Sequence, residues 1–434
     1  MTAIISVLNA HGIAIAADSA VTVSSGDIKK VYNKSNKIFT LSKYHPVGIA
    51  IYNRADFMGI PWEALIKIYR KQLGEKKFDT VEKYKTDFLS FLKKQLEFVT
   101  PESKNNNFFQ LCSGDYNVLK NKVVECMAQN KAHTASLTAA AAVEFITPLI
   151  SAVIRDYRDV ILALPQSAQM TSTYAQFVSA HKDLLSEVEK ALQQEIGQKY
   201  PDHALTDDDK KALNEFVHGL TKVANIFETH SGLVFIGFGE KEMYPSNHAV
   251  LVGCAIGDSI RYLIQDPLHI SPGKVNANII PYAQGDVTMT VLTGVDPKYE
   301  EEVEKSIRAS LESVSAQVMP RLADQTEVPT ISAAIKGIGE KMIAELIKYR
   351  GDSITRPLLD ILAFMGKEDM AEMAESLVSI TSLRRKFTAN SADESVGGPV
   401  DVAVITKGDG FIWIKRKHYF NLDLNNGFIE KYFK

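Results

Sequence analysis

The chain has little of several things that would have fixed its class at once. Its 434 residues include only three cysteines, Cys112, Cys126 and Cys254, an odd number without motif spacing. That excludes a disulfide framework and a cysteine-rich zinc site, and it fits buried thiols in a reducing, cytoplasmic setting. The ten histidines are scattered without ligand spacing, so no metal and no cofactor is expected. Forty-nine Lys and Arg against 52 Asp and Glu leave a net charge of −3, which supplies no electrostatic reason for a nucleic-acid or anionic-membrane partner.

Long hydrophobic runs are missing too. The N-terminal apolar stretch lacks a basic n-region and is interrupted by Asn9 and His11, so no secretory signal is read there. The best membrane candidate, Ala135 to Ile154, is built largely of Ala, Ser and Thr and carries Glu144 and Pro148; it reads as a buried soluble helix. What is abundant is core: 45% apolar with 23% charged residues is the composition of a globular chain.

The apolar residues are grouped in two ways. "TAIISVL" (2–8) and "IAIAA" (13–17) flank the turn "NAHG" and are apolar on both faces, as strands in the middle of a layered structure must be. A second pair follows at "NKIFTLS" and "PVGIAIY". Three- and four-residue spacing then predicts helices in "WEALIKIYRKQL" and "VEKYKTDFLSFLKKQLEFV", and helical signals dominate from about 100 to 230, with Thr206 as an N-cap. Strands return at "GLVFIGFGE", "HAVLVGCAI", "SIRYLI" and "VTMTVLTGV". A second helical block runs from about 298 to 387, and "PVDVAVITKGDGFIWIKR" closes the pattern as a hairpin around Gly408-Asp409-Gly410. Helices flanking stacked antiparallel sheets, an α+β architecture, are the expectation.

Chemistry concentrates at the start of the chain. A hydroxyl is a poor nucleophile without an adjacent base. A threonine at the N-terminus supplies its own, because its α-amine has a pKa of roughly 7.7–8. Met1 before a small residue is readily removed, which would expose Thr2 in this way. Asp18 ends the second apolar run, where a carboxylate must be hydrogen-bonded or paired with a cation. Lys37, which begins the next run, is the candidate cation. Positive charge there would depress the pKa of a neighbouring amine.

With these residues in place, "T-x-I-I-S-V…H-G-I-A-I-A-A-D-S…T…K-I-F" resembles the N-terminal signature of proteasome β subunits and the HslV peptidase, which are N-terminal-nucleophile (Ntn) hydrolases. "GIAIYNRADFMG" resembles their strand and helix entry, and "ADESVGGPVDVAVI" their late D-x-x-S-G-G-x-V segment. Lys37 takes the place of the family lysine if about three residues are inserted after Thr22, with Lys30 and Lys34 as rivals for that place. The resemblance implies a four-layer αββα sandwich formed by 1–99, 231–297 and 366–434, with helical insertions at 100–230 and 298–365. It implies Thr2, Asp18, Lys37 and Asp393 as catalytic residues, and Thr22, Tyr52, Asn53 and Gln284 as the substrate and oxyanion region. It further implies a peptide or amide substrate and a homo-oligomer, possibly a ring, with the insertions free to bind a partner protein. The chain departs from the pattern at Tyr52 and Asn53, which replace a glycine pair, and at Val396 and Gln284, which replace serines. A small-amide amidase of the same chemistry and a silent scaffold of the same fold are the alternatives.

Overall fold

The computed structural model describes residues 3–25, 28–32, 35–322, 325–387 and 397–418, with Phe420, Asn421, Leu424, Asn425 and Gly427 beyond them. Strands β1 (Ile4–Asn9), β2 (Gly12–Ala17), β3 (Val21–Ser25), β4 (Ile28–Tyr32), β5 (Ile38–Thr40), β6 (Val47–Asn53), β7 (Asp56–Phe57) and β8 (Ile60–Pro61) come first. Helices α1 (Trp62–Leu73), α2 (Val81–Lys94), α3 (Pro101–Gln129), α4 (Lys131–Thr134), α5 (Ala139–Ala163), α6 (Tyr174–Ala180), α7 (Lys182–Gly197) and α8 (Asp207–Lys222) follow. Then come β9 (Ser231–Gly237), β10 (Ser246–Ile256), β11 (Ser259–Ile264), β12 (Leu268–His269) and β13 (Ala277–Ala283). Helices α9 (Gly285–Thr293), α10 (Pro297–Val318), α11 (Val328–Arg350), α12 (Arg356–Leu362) and α13 (Lys367–Lys386) precede the last hairpin, β14 (Asp401–Thr406) and β15 (Gly410–Lys415).

The chain is a mixed α/β protein with antiparallel sheets. One sheet is five-stranded in the order β13-β1-β2-β14-β15; the other is six-stranded, β11-β10-β9-β6-β5 with β12 added to β10. Every residue of β1 and β2 is buried, which is why both faces of these strands are apolar. One face contributes Ile4, Leu8, Ile13, Ile15 and Ala17 to a cluster with Ala50, Val234 and Ile236 of the second sheet. The other face contributes Ala3, Ile5, Val7, Ala14 and Ala16 to a cluster with Met370, Ala374, Leu377 and Val378 of α13. A third and largest cluster joins the outer face of the second sheet to α1, α2 and the helices up to α8. Each fully buried aliphatic side chain in these layers is worth about 1.5–3 kcal/mol relative to exposure.

Asn9, the polar break in the first run, has a structural reason. Its amide donates to Leu362 O and Met365 O at 2.9 Å each, and its Oδ1 accepts from His11 N, fastening the β1–β2 turn to the end of α12. Gly12 pairs so closely with β14 that a Cβ would stand 2.6 Å from Ile405 O.

Two features differ from the sequence expectation. "VTMTVLTGV", read as a strand, is the helix α9. It begins after left-handed Gln284 (φ 57°) and ends at left-handed Gly294 (φ 72°). Its threonines are accommodated by bonding back: Thr290 Oγ1 donates to Asp286 O and Thr293 Oγ1 to Met289 O, both at 2.8 Å. Conversely β13 was not anticipated, because Pro281 interrupts it; it lies at a sheet edge, where a missing N–H is tolerated.

The helices of 100–230 share the core of the second sheet. The hairpin of α10 and α11 is different: α10 buries no residue, and α11 buries only Gly339 and Ile343. Pro148 sits inside α5, and among the described residues no helix is long and apolar enough to cross a membrane.

Candidate active site

The chain start, the end of β2 and the approach to β5 converge on one carboxylate. Asp18 is 1% exposed and four donors reach it. Its Oδ1 accepts from Ala3 N at 2.8 Å and from Lys37 Nζ at 2.6 Å; its Oδ2 accepts from Gly397 N at 3.0 Å and Ala20 N at 3.2 Å. Ala3 N is the atom that carries the peptide bond to residue 2. The carboxylate therefore holds the chain start and the lysine on one oxygen. Asp18 N in turn donates to Ala3 O at 3.1 Å, so this clamp closes from both sides.

Lys37, 3% exposed, is the lysine at Asp18. Of the rivals, Lys30 lies over the Tyr32 ring at 5.3 Å, and Lys34 is outside the described residues. The Lys37 backbone is pinned by Ile51 N, which donates to Lys37 O at 2.9 Å. Burial lowers the Lys37 pKa from its ordinary 10.5. The Asp18 charge and hydrogen bond work against that shift, the nearby Lys417 ammonium adds to it, and Asp401 opposes it.

Asp401, which is buried, and the partly buried Lys417 form a second acid–lysine pair that sequence reading did not single out. Asp401 opens β14 opposite Ala17, one residue before Asp18, and its Oδ1 also accepts from Lys417 N at 2.9 Å. An aspartate opening the apolar run "DVAVI" was the available signal. Ser19 was missed as well. Its hydroxyl donates to Pro399 O and its backbone N–H to Gly397 O at 3.1 Å, so residues 397 and 399 are tied to 18 and 19.

Thr2, Asp393 and Val396 lie outside the described residues. Thr22 falls in β3 opposite Val31, in a separate two-stranded ribbon. Gln284 follows Ala283, which pairs with Ile4, so the fold brings it beside the first residues of β1. Tyr52 is 6% exposed and packs between the sheets with Tyr282, ring centroids 6.2 Å apart. It lies directly over Gly232, where a Cβ would fall 1.9 Å from the Tyr52 ring. Burial pushes the Tyr52 phenol up to about 12. Asn53 takes a left-handed backbone, φ 65°, and its amide stands 3.0 Å from His230 Nε2. That φ belongs to a backbone conformation that favours glycine. Tyr52, Asn247, Gln265, Asp266, Pro281 and Tyr282 line a cavity of about 280 Å³.

Chemically, the arrangement can hold positive charge and a fixed carboxylate against the backbone of the chain's first described residue, away from water. No family model matches the chain, and no curated protein or solved structure matches it significantly.

Proposed function

We propose that this protein is an N-terminal threonine hydrolase of amide bonds, with Thr2 as nucleophile after removal of Met1. The observation that carries the reading is the buried Asp18 carboxylate, which binds Ala3 N and Lys37 Nζ on the same oxygen. Two further features support it. Strands buried on both faces, with helix clusters outside each of two antiparallel sheets, are what an αββα Ntn sandwich would require. Asn53 keeps a left-handed backbone where such a sandwich has an oxyanion-hole glycine.

In this mechanism the free α-amine of Thr2 takes the hydroxyl proton as Oγ1 attacks the amide carbonyl. Backbone N–H groups near Asn53 stabilise the oxyanion. The C–N bond breaks, the leaving amine takes the proton from the α-ammonium, and an ester to Thr2 remains. Water, deprotonated by the same amine, hydrolyses the ester and restores the hydroxyl. Lys37 keeps positive charge beside the amine and lowers its pKa; Asp18 fixes Lys37 and the chain start. Tyr52, bulky where the resembled pattern has glycine, narrows the approach to the oxyanion region.

Intact-mass measurement is expected to show loss of Met1, and an N-terminal-threonine-directed epoxyketone is expected to label wild type at Thr2 but not Thr2→Ala. Retained Met1, or a folded wild type inert both to that probe and to a small electrophile that fits past Tyr52, would leave a non-catalytic scaffold of the same fold.

A further inference from the structure

At the far end of the second sheet three side chains unrelated to the chain start converge. Glu242 lies in the turn between β9 and β10, His248 is on β10, and His269 is on β12, which pairs with β10 through Ser246 and His269. One potential ligand atom from each lies within 4.8 Å of the other two. The two imidazole rings stand edge to face with centroids 5.1 Å apart. His248 is only 2% exposed, yet its Nε2 has no hydrogen-bond partner among the described residues. A buried imidazole nitrogen without a partner is costly, and the usual resolution is a donor, a water or a metal ion.

Glu242 is already oriented as a metal-ligating carboxylate generally is. Its Oε2 accepts from Gly239 N at 2.6 Å and Val81 N at 2.9 Å, and its Oε1 accepts from Ser246 Oγ at 2.9 Å. These contacts fix the carboxylate from behind and leave lone-pair capacity on Oε1. Nothing in sequence spacing betrays the set, because Glu242 and His248 are brought to His269 by the return of β12 along β10.

We propose that Glu242, His248 and His269 bind a divalent late first-row transition ion, with Zn²⁺ the expected occupant. Two imidazoles and one carboxylate suit zinc and its neighbours and do not suit magnesium or calcium, which take oxygen donors. The buried Lys85, 3.6 Å from Glu82 Oε1 and near enough to act electrostatically on His248, opposes a purely ionic attraction. That repulsion acts on every divalent cation alike, so the preference for zinc rests on the ligand set. Bonds of about 2.0–2.2 Å set tetrahedral donors about 3.4 Å apart, so donors that now lie within 4.8 Å of one another would close by up to about 1.4 Å. Three protein ligands leave a fourth position for water. The ion would strap the β9–β10 turn, whose Glu242 already anchors the first turn of α2, to the edge strand β12.

The full chain, stripped with a chelator and dialysed, is titrated with CoCl₂ and with ZnCl₂ at neutral pH. One equivalent of Co²⁺ is expected to give the visible ligand-field absorption of a low-coordinate nitrogen and oxygen site, and Zn²⁺ to displace it. His269→Ala removes an exposed side chain and should fold, yet should weaken binding about tenfold or more, since even outer-shell changes cost that much. Glu242→Gln retains an acceptor for the two backbone amides, so it separates ligation from anchoring and should weaken binding similarly. Absence of saturable binding at one equivalent, or affinity unchanged in His269→Ala, would overturn the site.

Discussion

Arg261 with Glu228 and Lys37 with Asp18 are both buried ion pairs, each side chain at most 3% exposed, but they are finished to different degrees. Arg261 donates from Nε to Glu228 Oε1 at 2.8 Å and from its two terminal nitrogens to the carbonyls of Leu220, Thr221, Val223 and Asn225 and to Glu228 Oε2. That guanidinium is saturated, and it rivets the carbonyl end of α8 to β11. The Lys37 ammonium has three N–H groups but, among the described residues, one acceptor, Asp18. Its carboxylate partner is saturated instead, by three backbone amides besides the lysine. A pair completed on the cation side holds structure; a pair completed only on the anion side keeps donor capacity for another group.

The sharpest way to break this contrast is Arg261→Met. It leaves Glu228 charged and buried, and four carbonyls without their donor. The expected loss is about 3–5 kcal/mol in urea unfolding, with Thr2 labelling per folded molecule unchanged. Lys37→Met should do the reverse. Asp18 keeps its backbone donors, so the stability loss should be clearly smaller than for Arg261→Met. Amide hydrolysis or Thr2 labelling should fall about 10²–10⁴-fold, the usual weight of a group that sets a catalytic base. Equal stability losses with intact labelling in both variants would erase the distinction.

A pH series sharpens the same comparison. Burial holds the folded Lys37 pKa below the ordinary 10.5. Between that lowered value and 10.5 the unfolded chain binds more protons at this site than the folded one. The Lys37 contribution to stability therefore rises as pH climbs toward 10.5 and is smallest below the folded value. Urea unfolding of wild type and Lys37→Met at successive alkaline pH values should show a more positive slope for wild type. Parallel curves would mean that the lysine titrates alike in both states.

Much of this arrangement was legible before any coordinates. β1 and β2 announced themselves because both faces are apolar, β6 and β9 as short apolar runs, and Asp18 stood out because a carboxylate ending such a strand needs partners. Thr206 announced its helix because its hydroxyl and Asp209 form a reciprocal cap. The failures have equally physical causes. α9 reads as a strand because five of its nine residues are Val or Thr, and only the left-handed residues at its ends and hydroxyl back-bonding make it helical. Asp401 and Lys417 are 16 residues apart, and His248 and His269 are brought together by strand pairing. Local periodicity carries no signal for such encounters. Gln284 is placed by the β1–β13 register, which Pro281 hides.

The smallest expected effect lies on the opposite kind of ion pair. Arg308 of α10 grips Glu340 of α11 in a bidentate contact, 2.9 and 3.2 Å, but its side chain is 44% exposed. Leu311 of α10 lies against Gly339 of α11, and the two helices bury little: no residue of α10, and Gly339 and Ile343 of α11. Solvent screens a pair of this kind, so Glu340→Gln should cost less than about 1 kcal/mol, and less still in high salt. A loss approaching that of Arg261→Met, insensitive to salt, would show that the Arg308 side of the hairpin is covered in solution, for instance by another copy of the chain. Both arginines meet a carboxylate through two nitrogens, but Arg261 is buried and also bonds four backbone carbonyls, whereas Arg308 is half exposed and, among the described residues, bonds only carboxylates. The test therefore asks whether burial or bidentate geometry sets the strength of an ion pair in this fold.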